Sequence, residues 1–242
     1  MKPKDIASLS LTVLAAIATV IVVAFANQQS SAVRTAWLHI FSATQLCVGF
    51  IGYVWLGGKK AKCDLWIEFD AQRIRRLFIL MVTWALALTV VFTLTRRSDE
   101  FSARSAAFNA WQLVYFLGLI ALPEEIFFRG FPFLALGRYS ARAVFVSAGL
   151  FSLIHINIGP HTLPYYFALG LLLGVLRRFG TTLAELTIWH GLFNFVVIVW
   201  PDAGFRFSET GYFVVAPLAF LSITALAGWA LSAEWNLKSA DQ

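Results

Sequence analysis

One stretch decides how this chain folds: residues 111–136 read WQLVYFLGLIALPEEIFFRGFPFLAL. A membrane-spanning helix needs about 20 mostly apolar residues, and this stretch is long enough. Near its middle stand two adjacent carboxylates, Glu124 and Glu125, followed by Arg129. Charged side chains are costly at bilayer depth and commonly mark a functional site. We therefore expect a span from Trp111 to Leu136 that carries a site near mid-bilayer.

The composition of the whole chain indicates a membrane protein. Of its 242 residues, 59% are hydrophobic and 13% are charged, whereas a soluble domain carries about 25% charged residues. No Pro/Ser-rich or charged linker separates the apolar segments, so we expect a single domain, 1–242. The net charge of +6 is typical of basic loops in a membrane protein, and we expect no nucleic-acid partner.

Apolar segments along the chain predict an all-α bundle of about eight transmembrane helices. The first span has two interpretations, a cleaved signal peptide or a retained anchor, and its long apolar core favours the anchor. With the N-terminus inside, 14 of the 19 Lys and Arg residues fall on the inner side. The positive-inside rule then places both termini in the cytoplasm. The predicted spans are Leu9 to Ala26, Ala36 to Leu56, Leu77 to Leu94, Trp111 to Leu136, Ala141 to Ile158 or slightly beyond, Leu163 to Leu176, Leu183 to Trp200 and Tyr212 to Leu231.

The inner loop between the second and third spans contains a segment with two interpretations. Asp64 to Asp70 either lies along the membrane interface as a short amphipathic piece or forms a loop anchored by Trp66. The sequence does not decide between them.

The acidic pair of the fourth span divides into two expected roles. Glu125 and Arg129 are one helical turn apart and face the same side, so we expect them to form a supporting ion pair. Glu124 is rotated by about 100° from Glu125 and can face a cavity. One carboxylate is then structural and the other is available for chemistry.

Two later spans carry polar side chains at helical spacing. His155 follows Phe151 by one turn, so that the phenyl ring can pack beside the imidazole. His190 and Asn194 share one face of the seventh span, and Gly191 leaves room for a neighbouring helix. Taken singly, each of these residues is more often structural, as we expect for the lone span histidine His39. Their joint occurrence at mid-span favours catalysis.

These residue types are those that amide hydrolysis by water requires. A glutamate removed from water holds a proton more strongly and can act as general base towards water, and a histidine can share that proton transfer. A second histidine and an asparagine can donate hydrogen bonds to the oxyanion. No serine or cysteine occupies a nucleophile motif. Two imidazoles and a carboxylate also form a known zinc shell, here Glu124, His155 and His190, although the compact His-Glu-x-x-His helix is absent. The sequence identifies no certain cofactor, and zinc stays an open alternative.

Three motifs stand in a specific order: Glu-Glu-x-x-x-Arg at 124–129, Phe-x-x-x-His at 151–155 and His-x-x-x-Asn at 190–194. Their order resembles the CAAX protease and bacteriocin-processing family, also called Abi, over the core region 111–200. The resemblance implies an eight-helix intramembrane endopeptidase, described both as glutamate-dependent and as a metalloprotease.

The resemblance also implies a role for each motif residue. Glu124 is the expected water-activating residue with help from His155, and His190 with Asn194 stabilises the oxyanion. The expected supporting residues are Glu125, Arg129 and Phe151.

We expect the partners to be the lipid bilayer and a peptide or protein substrate, cleaved near a membrane-associated C-terminal segment. The expected location is the bacterial inner (plasma) membrane. The alternative is a non-catalytic bacteriocin-immunity or scaffold protein of the same fold, which the presence of all four catalytic side chains disfavours. A transporter with Glu124 and His190 as a proton relay is disfavoured because the sequence has no inverted repeat.

A shared site depends on two helix ends. Glu124 reaches mid-bilayer if the fourth helix runs to Leu136, and His155 reaches the same depth if the fifth helix continues past Gly159. We expect both extensions.

Overall fold

A computed structural model describes residues 2–66, Phe78, 106–199 and 214–240. Across these ranges the fold is carried by seven helices: α1 Pro3–Ala26, α2 Ser31–Asp64, α3 106–136, α4 Ala141–Leu153, α5 Leu163–Arg178, α6 Leu183–Val199 and α7 Ala216–Ala240. Helix α3 joins the α-helical segments Ala106–Tyr115, Leu122–Glu125 and Phe131–Leu136 through two π-helical segments, Phe116–Ala121 and Ile126–Gly130. The third predicted span, Leu77 to Leu94, lies outside the described residues.

Four described stretches are long and apolar enough to cross a membrane: Pro3–Ala26, Ser31–Lys59, Ala110–Leu136 and Ala141–Ile158. They correspond to the first, second, fourth and fifth predicted spans. Helices α5 and α6 are shorter, with 16 and 17 residues. Large apolar side chains such as Leu14, Ile51 and Trp55 are exposed on the outer faces, as expected of a surface that contacts lipid. The all-α bundle is confirmed, and the count of eight spans stays a prediction.

Of the two helix ends on which the shared site depends, one is confirmed and one is wrong. Helix α3 runs to Leu136, as predicted. Helix α4 ends at Leu153 and does not pass Gly159. A turn and two short 3₁₀ segments follow it. The His155 ring hydrogen-bonds through Nδ1 to the Phe151 carbonyl at 2.8 Å. A continuing helix would use that carbonyl for the His155 N–H, which donates instead to the Ser152 carbonyl at 3.0 Å.

Helix α2 continues beyond the predicted end at Leu56 and finishes at Asp64. It bends at Gly58, whose φ of 57° lies in the left-handed region that glycine adopts without strain. Asp64 is the last residue of α2 and is buried. It therefore belongs neither to a separate interfacial piece nor to a loop, the two interpretations of the segment from Asp64 to Asp70. Its burial is explained by tertiary partners described below.

The helices pack around α3 and α5. Helix α3 contacts α1 and α6, while α5 lies between α4 and α7. Helices α4 and α5, which correspond to the fifth and sixth predicted spans, are therefore neighbours. Aromatic side chains fill the interior, with Phe128 edge-to-face on Phe151 and Tyr165 against Phe193 and Phe220. These contacts join α3 to α4, and α5 to α6 and α7.

Candidate active site

The two glutamates lie in a short α-helical segment, Leu122–Glu125, between the two π-helical segments of α3. Pro123 is the second residue of this segment and has no N–H to donate to the preceding turn. A π turn absorbs one extra residue and recurs at functional sites. The helix is thus irregular on both sides of the acidic pair.

Both carboxylates lie close to the same imidazole, that of His190 on α6. Its Nδ1 hydrogen-bonds to Glu125 Oε1 at 2.7 Å, and its Nε2 lies 3.6 Å from Glu124 Oε2. An ionised carboxylate only accepts hydrogen bonds, so Nδ1 carries the proton in its bond with Glu125. Glu125 is 0% exposed, His190 2% and Glu124 18%. Glu124 is therefore the carboxylate with access beyond the cluster.

The predicted ion pair of Glu125 and Arg129 is present in the structure. Arg129 Nη1 donates to Glu125 Oε1 at 3.1 Å, and both side chains are fully buried. The Arg129 guanidinium also lies 4.3 Å from the centre of the Phe151 ring, a cation–π contact. Glu125 therefore accepts hydrogen bonds from both Arg129 and His190. The sequence did not indicate its contact with His190.

Phe151 lies at the centre of this arrangement. Its ring centre is 4.8 Å from that of His155 and 5.5 Å from that of His190. The predicted contact between Phe151 and the His155 imidazole is confirmed. Phe151 also touches the second histidine and the arginine, so it supports the three motifs at once.

His155 is placed differently from the expectation. Its ring stacks on Tyr166 of α5, with centres 3.6 Å apart. In the described part of the chain, no hydrogen bond or ion pair joins His155 to Glu124. The help that His155 gives to Glu124 stays a prediction. The sequence analysis did not identify Tyr166. The available signal was its position inside an apolar helix, because the hydroxyl of a buried tyrosine usually has a hydrogen-bond partner.

Asn194 lies on α6 one turn after His190, on the same face and half-buried. Among the described residues, no hydrogen bond joins its amide to any other predicted catalytic residue. Asn194 thus lies beside His190, and within the described residues its side-chain amide donates no hydrogen bond to the cluster.

Gly191 sets the distance between α6 and α3. A Cβ atom added to Gly191 would lie 2.9 Å from Leu117 Cα and 2.5 Å from its Cδ2. Only a glycine permits this approach, which confirms the predicted role of Gly191. The close contact brings His190 to the two glutamates of α3.

The zinc shell that the sequence leaves open would combine Glu124, His155 and His190. Within 2–66, 106–199 and 214–240, no group of three His, Cys, Asp or Glu side chains could hold a metal ion. Both nitrogens of His190 face carboxylates, and Phe151 contacts the rings of His155 and His190. Glu124, His155 and His190 do not form the tetrahedral shell that zinc requires. No step proposed below is routed through a metal.

The region that contains these residues also matches a known protein family. Residues 106–196 match the family model described as Type II CAAX prenyl endopeptidase Rce1-like. This segment runs from α3 into α6 and includes all seven residues of the three motifs. The resemblance to CAAX proteases is confirmed over this segment. Together with four helices able to cross a membrane, it supports an integral membrane protein. No curated protein and no solved structure matches the chain.

Proposed function

We propose that the chain is an intramembrane endopeptidase of the CAAX-protease type. It hydrolyses a peptide bond near a membrane-associated C-terminal segment of a peptide or protein substrate. The observation that carries the proposal is the histidine held between two carboxylates, His190 with Glu124 and Glu125, in a segment that matches this family. A partly accessible glutamate beside a fixed imidazole is suited to activating water.

The charges of the buried cluster support this chemistry. With Glu125 ionised against Arg129, one further proton on either Glu124 or His190 makes the four groups neutral as a set. A balanced set avoids an uncompensated buried charge, which costs several kcal/mol. Glu124 Oε2 and His190 Nε2 are 3.6 Å apart, which is longer than a hydrogen bond, and this spacing supports a water that contacts both groups.

The proposed reaction begins with water attacking the carbonyl carbon of the scissile amide. Glu124 accepts the proton of that water, while the electron pair of the C=O bond moves to oxygen. His190 Nε2–H and the Asn194 amide donate hydrogen bonds to the resulting oxyanion. When the C–N bond breaks, Glu124 returns its proton to the leaving nitrogen, giving a carboxylic acid and an amine. His155 assists the proton transfer once the substrate is bound.

The supporting residues hold these groups in place. Glu125 fixes the orientation of the His190 ring through Nδ1. Arg129 balances the charge of Glu125, and Phe151 packs between the motifs. A fixed orientation matters because an error of about 1 Å at the reacting groups costs roughly 100-fold in rate.

The proposal includes the setting of the site. The chain is one membrane-embedded domain of eight spans, with its core at 111–200 and both termini in the cytoplasm of a bacterium, whose inner membrane it occupies. One cavity is lined by Lys4 near the start of α1 and by Gly137 just after α3. This shared lining supports a position of the start of α1 and the end of α3 on the same side of the membrane, as a topology of eight alternating spans requires.

The test is cleavage by the purified chain in liposomes. Two peptides of the same sequence are compared, one with a C-terminal membrane anchor and one without. Cleavage of the anchored peptide by the wild-type chain, lost in His190→Ala, is the expected result. Equal cleavage by wild type and His190→Ala contradicts the mechanism. Absence of any cleavage, together with a cellular phenotype that His190→Ala retains, identifies a scaffold or immunity protein instead.

A further inference from the structure

The cavity lined by Lys4 and Gly137 has a volume of about 660 Å³ and lies where five helix ends meet. Its wall comes from the start of α1, the final parts of α2, α3 and α5, and the residue before α6. None of the predicted catalytic residues lines it. Its ionisable lining residues, among those described, include four cations and one carboxylate: Lys4, Lys59, Arg138, Arg177 and Asp64.

The wall of this cavity contains a buried ion pair. Arg177 Nη1 donates to Asp64 Oδ1 at 2.6 Å, and Nη2 donates to Oδ2. The Tyr53 hydroxyl donates to Asp64 Oδ2 at 2.5 Å. Arg177 Nη1 also donates to the Thr181 carbonyl at 2.9 Å. The pair is neutral as a whole, so Asp64 does not offset the charge of the other cations.

The remaining cations give the cavity a net positive charge. Lys4 in the first turn of α1 and Lys59 just after the bend of α2 are both exposed, so their ammonium groups can move. The Arg138 guanidinium is anchored by the hydrogen bond from Nη2 to the Gly180 carbonyl at 2.9 Å. An anchored guanidinium and two mobile ammonium groups are suited to a phosphate, because arginine presents paired donors and lysine adds point charge.

We propose that this cavity binds the phosphate group of an anionic phospholipid headgroup. The cavity lies at the ends of helices long enough to cross a membrane, and the lipid headgroups lie at that level. Basic pockets between membrane helices bind such headgroups. Apolar side chains, Leu56, Phe133 and Leu134, also line it and can contact the glycerol and the first carbons of the acyl chains. The proposal does not depend on the proteolytic function.

The experiment measures ligand binding to the full chain in detergent micelles by native mass spectrometry. The ligands are phosphatidylglycerol, phosphatidylcholine and inorganic phosphate. The test variant, Lys59→Ala/Arg138→Ala, removes two exposed cations that take no part in the Asp64–Arg177 pair. The matched control, Lys62→Ala/Arg142→Ala, removes two exposed cations that do not line the cavity. Circular dichroism and thermal unfolding check that both variants fold.

The expected result is selective binding of phosphatidylglycerol over phosphatidylcholine. Each surface cation contributes about 5-fold, so the test variant binds phosphatidylglycerol about 10- to 30-fold more weakly, and the control binds it as the wild type does. The same dissociation constant for all three proteins overturns the proposal. Binding of inorganic phosphate without any selectivity for phosphatidylglycerol overturns the assignment to a lipid.

Discussion

Glu124 and Glu125 are neighbours in the chain, yet they face opposite nitrogens of one imidazole. Glu125 is enclosed between Arg129 and His190, whereas Glu124 has its single ion-pair contact, among described residues, with His190. The two carboxylates therefore differ in their surroundings. A substitution at Glu125 should act first on stability, and one at Glu124 first on chemistry.

Replacing Glu125 by glutamine tests the first half of this division. The variant keeps the shape of the side chain but leaves Arg129 buried without a counter-charge, and breaking a buried pair in this way costs about 3–5 kcal/mol. We expect a matching loss of unfolding free energy, measured by thermal or denaturant unfolding in micelles. The double variant Glu125→Gln/Arg129→Met removes both charges and should recover most of the loss. A single variant as stable as the wild type would contradict the proposed role.

The sequence predicted much of this residue-scale arrangement and missed a specific part. The spacing of Glu125 and Arg129 was enough to predict their pair, because four residues make one helical turn. The bond from His190 to Glu125 joins residues 65 positions apart. No local spacing indicates such a contact. The stacking of His155 on Tyr166 was missed for the same reason.

Helix α3 positions the site through its contact with α6. The first π-helical segment, Phe116–Ala121, contains Leu117, whose backbone lies against Gly191. Because no side chain intervenes, His190 of α6 comes within reach of the glutamates, about two turns further along α3. The distance between two helices thus controls the geometry of the catalytic groups.

Gly191→Ala tests this control at the level of the element. The added methyl would lie 2.9 Å from Leu117 Cα, so the two helices must separate. We expect cleavage to fall at least 10-fold and the protein to lose about 1–3 kcal/mol, as other overpacked sites do. Gly118→Ala is the matched control, since a Cβ there meets nothing within 4 Å. Equal effects of the two substitutions on cleavage rate and unfolding would show that helix separation is not the cause.

The ends of the helices show where local patterns are insufficient. The apolar sequence continued past Leu153, so hydropathy predicted a longer α4. The helix ends at Leu153, where the His155 N–H donates to the Ser152 carbonyl in a tighter turn and the His155 ring bonds to the Phe151 carbonyl. Helix α2 is longer than predicted because its final turn carries a carboxylate whose partners lie elsewhere in the fold. Hydropathy detects apolar segments but does not detect the polar contacts that shorten or lengthen them.

At the scale of the whole molecule, a buried ion pair joins distant parts of the chain. Asp64 at the end of α2 pairs with Arg177 near the end of α5, 113 positions later. Tyr53 on the body of α2 completes the network. In the sequence, both charged residues look like ordinary charges of inner loops. The pair connects the N-terminal helices to the segment that matches the CAAX protease family.

Arg177→Met should weaken this connection by leaving Asp64 buried and unpaired. We expect a loss of about 3–5 kcal/mol in unfolding free energy. In Asp64→Leu/Arg177→Met no charge remains to be compensated, and the loss should be much smaller. The interaction energy follows from the double-mutant cycle completed with Asp64→Leu. A cycle that gives no interaction energy would show that the pair does not join the two parts.

The most direct measurement of the central claim is the rate at which Glu124→Gln cleaves an anchored peptide in liposomes. Glutamine preserves the size of the side chain but does not accept the proton of the attacking water. We expect the turnover rate to fall by about 10²–10⁴-fold, the usual contribution of general-base catalysis, while the thermal unfolding temperature stays near that of the wild type. Cleavage by a folded Glu124→Gln chain at the wild-type rate would contradict the assignment of Glu124 as the base that activates water.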